Sequence, residues 1–284
     1  MSNRIRHIRV SHGPISPAQA EVRITVVPER QTPTTEVRGR LMGPRCPYAS
    51  TIEVAYPLRL PPGGNPTAES LDLTRHVIIP EPSFWDTESP FLYEGPVELW
   101  QDGQCCDQQI VRHGLCSLRV GKRGLLINDR PLLLRGRVVT ADGEMAGSES
   151  DLRMLHEAGF NLLVAPVADE TMELWQHADR FGLLILGQLR DDSEATQHRL
   201  VLLTEHASCL GWLIESARLP SRDWFPSGGL LGWTGDIVSP ETSLAEMDFL
   251  FGSPELASHG KALLVTGESR SPSSESVPIL GCVP

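Results

Sequence analysis

WDTESPFLYEGPVELWQDGQCCDQQIVRHGLCSLRVGKRGLLINDRPLLLRG, residues 85–136, is the stretch on which the reading of this chain turns. Short alternating strands end inside it, and a different repeat begins after it. Trp85, Leu92 and Tyr93 flank Pro90, while Val97, Leu99, Ile110 and Val111 read as strands punctuated by Asp102-Gly103. A second hairpin signal follows. Leu125 to Ile127 run into the turn Asn128-Asp129-Arg130-Pro131, and Leu132 to Leu134 run out of it towards Arg135-Gly136.

Upstream of this joint the pattern is β throughout. Candidate strands are Ile5–Val10, Ala20–Val27, Thr35–Met42, Ser50–Leu58, Ser70–Ile79, Gly95–Gln101 and Gln108–Leu115, separated by turn clusters such as PERQTPT, GPRCPY and PPGGNP. Their spacing over residues 1–118 predicts an immunoglobulin-like β-sandwich, without the cysteine and tryptophan spacing of antibody domains.

Downstream the period lengthens. Ser148–Ala158, Asp169–Phe181, Ser193–His206 and Ser243–Phe251 carry apolar residues at helical intervals, with Ser148 as a cap and Gly159 and Gly182 as stops. Between them Leu132–Val138, Asn161–Val167, Leu183–Gly187, Cys209–Ile214, Leu230–Trp233 and Ala262–Thr266 read as buried strands. Alternating strands and helices imply a parallel sheet with right-handed crossovers. Six strands over residues 119–266 predict a shortened (β/α) barrel-like domain, since a closed eight-fold barrel needs two more. The missing strands would leave open edges, which predicts a homo-oligomer or a protein partner. Residues 267–284, GESRSPSSESVPILGCVP, are Ser/Pro-rich and read as a loose tail.

Charge and motifs exclude several classes of function. With 36 acidic against 25 basic side chains in 284 residues the net charge is −11, which disfavours nucleic acid and anionic membrane as partners. The first thirty residues contain no secretory apolar run and nothing later approaches a membrane span, so a cytoplasmic protein is expected. The six cysteines show no disulfide framework. Cys105, Cys106, His113 and Cys116 are the one metal-like cluster, but adjacent cysteines in a strand point to opposite faces, so no metal site is expected. Phosphate loops, dinucleotide fingerprints and nucleophile elbows are absent, and no cofactor is expected.

Trp85–Tyr93 (WDTESPFLY), the Asp107 region leading to His113-Gly114, Leu125–Pro131, Leu134-Arg135-Gly136, Glu157–Asn161 (EAGFN) and Ala178–Leu184 (ADRFGLL) together resemble glycoside hydrolase family 2, the family of β-galactosidases, β-glucuronidases and β-mannosidases. The resemblance implies that residues 1–118 correspond to the family's immunoglobulin-like middle domain and that the remainder derives from its catalytic barrel. It also implies retaining hydrolysis, in which two carboxylates about 5 Å apart act as acid/base and nucleophile.

Aligned on His206, Ser208 and Trp212, the family's Asn-Glu acid/base pair falls on Ser216-Ala217. The nucleophile position after the strand KALLVT is Gly267. Glu215 and Glu268 are the nearest carboxylates, one two residues early and the other one residue late. The positions where the family supplies an Arg and a His after Phe160-Asn161 are Val164 and Val167, and Arg137-Val138-Val139-Thr140 replaces a polar segment with His. The expectation is a catalytically inactive glycosidase-like protein with a binding or assembly role. The alternatives are an active retaining β-glycosidase using Glu215 and Glu268, and a non-catalytic carbohydrate-binding module. For carbohydrate, the candidate binding residues are Trp212, Trp224 and Trp233 as stacking platforms and Asp236 beyond a strand end.

Overall fold

The computed structural model describes residues 3–61, 73–122, 124–139, 148–214, 222–226, 228–234, 247–253, 261–266 and 279–283. The chain divides into two compact units, Met1–Trp85 with Ser89–Leu115, and Asp86–Glu88 with Cys116–Pro284.

The first unit is antiparallel. It contains β1 (Ile5–His12), β2 (Gln19–Pro28), β3 (Glu36–Arg45), β4 (Val54–Pro57), β5 (Leu73–Pro80), β6 (Leu92–Gln101) and β7 (Gln104–Gly114). One sheet runs β1-β2-β5 and the other β4-β3-β6-β7. Alternation sets the faces: Ala20, Val22, Ile24 and Val26 of β2 are buried, as are Val97 and Leu99 of β6, and both sets join one hydrophobic cluster.

The second unit opens with a small meander of β8 (Leu118–Gly121), β9 (Gly124–Ile127) and β10 (Arg130–Leu132). Asn128 and Asp129 both take positive φ, 49° and 64°, the two-residue turn that matches the twist of the strands it joins.

Then comes a closed barrel of eight parallel strands: β11 (Leu134–Val138), β12 (Leu162–Pro166), β13 (Leu184–Leu189), β14 (Cys209–Ile214), β15 (Leu230–Thr234), β16 (Phe249–Gly252), β17 (Ala262–Thr266) and β18 (Ile279–Val283). Helices α1 (Glu149–Glu157), α2 (Met172–Phe181) and α3 (Glu194–Leu203) lie between the first four. The Ser148 and Ser193 side chains cap α1 and α3, and Gly182, at φ 72°, ends α2. That glycine is also required by close approach, because a Cβ there would come within 2.6 Å of the Thr87 carbonyl oxygen.

The count of six strands is thus corrected to eight. Phe249–Gly252 lies in a stretch whose apolar spacing suggests helix, and Ile279–Val283 in one whose composition suggests a tail. Four or five apolar residues cannot reveal their period, and a strand's partners are not written beside it. β18 pairs with β11 through Leu134↔Gly281 and Arg135↔Cys282, closing the ring across most of the unit's length. Closure also removes the open barrel edges from which self-association was expected.

Candidate functional site

In a parallel barrel of this kind, functional groups stand at the carboxyl ends of the strands. Alternation decides which side chains face inwards. Val139, Ala165, Val167, Leu189, Trp212, Ile214, Trp233, Leu250 and Val265 belong to the cluster that packs with Leu152, Leu155, Trp175 and Phe181 of α1 and α2, so they face outwards. Their neighbours Val138, Pro166, Gln188, Thr234, Phe251 and Thr266 therefore face the interior at the carboxyl end. The described residues of this layer offer an amide and two hydroxyls among apolar groups, and no carboxylate.

Asp191, just past β13, is committed to the next helix. Its Oδ1 accepts from Ser193 N at 3.0 Å and from Thr196 Oγ1 at 2.7 Å. These bonds, Ser193 first, hold its carboxyl down to about 2.

Glu215, Ala217, Asp236, Gly267 and Glu268 lie outside the described residues. The tryptophans can be placed. Trp212 is 0% exposed, and its ring centroid lies 5.8 Å from that of Trp175. Trp233, 8% exposed, belongs to the same cluster, and Trp224, half-buried, meets Phe225 edge-on. The reading of Trp212 and Trp233 as stacking platforms is corrected: both are buried in the cluster on the outer side of their strands, and a ring without exposed faces cannot stack on a sugar.

A dense polar arrangement lies at the opposite, amino-terminal end of β14. Asp179 of α2 is 5% exposed. Its Oδ1 accepts from Ser208 N at 2.7 Å, and its Oδ2 lies 2.6 Å from His206 Nδ1. Because a carboxylate only accepts, the imidazole donates its Nδ1 proton there. Ser208 Oγ donates to the Trp175 carbonyl at 3.4 Å. Cys116 and Cys209 are close by, but burial pushes the Cys116 thiol up to about 12 and the Cys209 thiol higher than its ordinary value. Neither supplies a thiolate, so the group orients backbone and ring rather than attacking a substrate. The segments ADRFG and HASC contain both halves of this network, yet nothing in their spacing says that they meet.

Among the described residues no group of three or more His, Cys, Asp or Glu side chains could hold a metal ion. His113 is buried and its Nε2 lies 2.7 Å from His12 Nδ1, while Cys116 donates to the Ala207 carbonyl at 3.6 Å. No helix of the structure is long and apolar enough to cross a membrane among the described residues.

No family model matches the chain. A β-galactosidase of Klebsiella pneumoniae is 23% identical over 170 residues, covering 54% of this chain and 16% of that protein. A glycosyl hydrolase family 2 member from Bacteroides cellulosilyticus superposes with a TM-score of 0.67 at 15% identity, covering 99% of this chain and 45% of that one. The chain shares the fold of this family 2 protein. A β-glycosidase from Bacteroides vulgatus shares the same fold, with a TM-score of 0.66 and 14% identity over 93% of this chain and 38% of its own. The chain therefore spans less than half the length of each of these proteins.

Proposed function

We propose that this chain is a family 2-like glycosidase scaffold that does not hydrolyse β-glycosides and serves a binding or assembly role. The observation that carries the reading is the described part of the barrel's carboxyl-end layer, where Val138, Pro166 and Phe251 stand beside Gln188, Thr234 and Thr266. Retaining hydrolysis needs two carboxylates about 5 Å apart across the sugar. The sequence supports the same conclusion, with Ala217 and Gly267 at the acid/base and nucleophile positions and Val164 and Val167 where the family supplies Arg and His. In the first unit, the strand orders β1-β2-β5 and β4-β3-β6-β7 over one shared core support reading it as the family's immunoglobulin-like domain.

The test is turnover of chromogenic β-galactoside, β-glucuronide and β-mannoside substrates by the chain and by Glu215→Gln and Glu268→Gln variants. Rates equal to buffer for all three proteins are expected. Turnover that either substitution abolishes would establish an active retaining enzyme, and turnover indifferent to both would equally overturn the inactive reading.

A further inference from the structure

The hairpin of β6 and β7 turns on Asp102 and Gly103, with φ 52° and 76°. From there the register runs Gln101↔Gln104, Trp100↔Cys105 and then Leu99↔Asp107. One step along β6 answers two along β7, so Cys106 is the extra residue of a β-bulge. The faces follow from this register. Leu99 is core, and Asp107 opposite it turns the same way, its Oδ2 accepting from Ile5 N at 2.8 Å. Trp100 faces outwards beneath the Arg38 guanidinium, 4.3 Å from its ring centroid, and Cys105 opposite it faces outwards too. A bulge sets two residues of one strand opposite one of its partner, so Cys105 and Cys106 can both oppose Trp100 on the outward face, where strict alternation would part them.

We infer that Cys105 and Cys106 form a same-face dithiol that chelates a trivalent metalloid centre through both sulfurs. Neither cysteine is in a disulfide, Cys105 is exposed, and Cys106 is half-buried at the tip of the hairpin. Desolvation, then the nearby Glu98 charge, holds the Cys105 thiol above its ordinary value. Reagents that need a free thiolate are thereby slowed, whereas a soft centre selects paired sulfur ligands and displaces their protons. With a hydrated trivalent arsenical, two As–S bonds form and two As–O bonds break. Each thiol proton leaves on a hydroxyl oxygen, releasing two water molecules, and arsenic stays trivalent.

The probe is phenylarsine oxide, added to the whole chain and followed by intact mass spectrometry and by competition with a monothiol. One equivalent is expected to persist in excess monothiol and to be removed by a dithiol. Cys105→Ser and Cys106→Ser should each weaken retention on the order of 100-fold or more, because the second sulfur acts at high effective concentration. Thermal unfolding of each variant should match the parent, which separates lost chelation from lost fold. The decisive control is the double variant Gln104→Cys/Cys105→Ser. It keeps two thiols but sets them on opposite faces, since position 104 shares the face of Gln101. It should bind no better than the single variants. Removal of the parent's adduct by monothiol, or equal retention by the double variant, would overturn the assignment.

Discussion

The two ends of the barrel strands are built by opposite rules. Towards the amino end, beneath α2, a buried carboxylate, an imidazole, a serine and two indoles are tied together: Asp179 accepts from His206 and Ser208, and Trp175 lies against Trp212. At the carboxyl end, where a barrel normally spends its polar groups, the described inward layer sets Val138, Pro166 and Phe251 beside Gln188, Thr234 and Thr266, and Asp191 serves the start of α3. The difference teaches that, among the described residues of the barrel, the buried polar network goes into holding β13, β14 and α2 together. A charged network at one end of a strand is worth keeping for stability alone, because removing one member strands the others in a dry environment.

That contrast can be broken by substitution. The largest effect is expected from Trp212→Ala, which opens a cavity against Trp175 and costs about 4 kcal/mol of unfolding free energy. Denaturant titration followed by circular dichroism measures it, and a loss below about 1 kcal/mol would mean that the indole is not core. Next comes Asp179→Ala, which leaves the Ser208 N–H and the His206 ring without their acceptor and costs about 3 kcal/mol. Asp179→Asn should recover part of this, since its carbonyl oxygen can still accept from Ser208; equal losses for both would show that the hydrogen bonds contribute nothing.

The smallest effect is expected at the carboxyl end. Asp191→Ala should cost less than about 1 kcal/mol, because this carboxylate is exposed and screened. Its sign with pH is defined. The folded chain holds the group down to about 2 from an ordinary 3.8, so its contribution is complete above about pH 4 and fades as the pH falls towards 2. Parent and variant should therefore converge in stability over that window. A constant gap down to pH 2 would contradict the hydrogen bonding described.

Much of the fold is legible in the residues themselves. Leu162–Pro166, Leu184–Leu189 and Cys209–Ile214 are nearly unbroken apolar runs, as strands buried on both faces must be, and Ser148, Ser193 and Gly182 mark helix ends by their own chemistry. The candidate site is less legible for the same reason. In a strand buried on both sides, composition is alike on either face, so Trp212 looks as suited to a mouth as to a core.

What the sequence determined by itself is local: the period of each segment, its caps and turns, and the resemblance of its motifs to family 2 glycosidases. Tertiary structure alone decided three things. It closed the ring by pairing β18 with β11, it turned Trp212 under α2, and it placed a bulge at Cys106. Each depends on which residue lies opposite which, through hydrogen bonds between strands distant along the chain or through a single added residue in a hairpin. Neighbouring side chains carry no record of that register, because it is chosen by the packing of the whole unit.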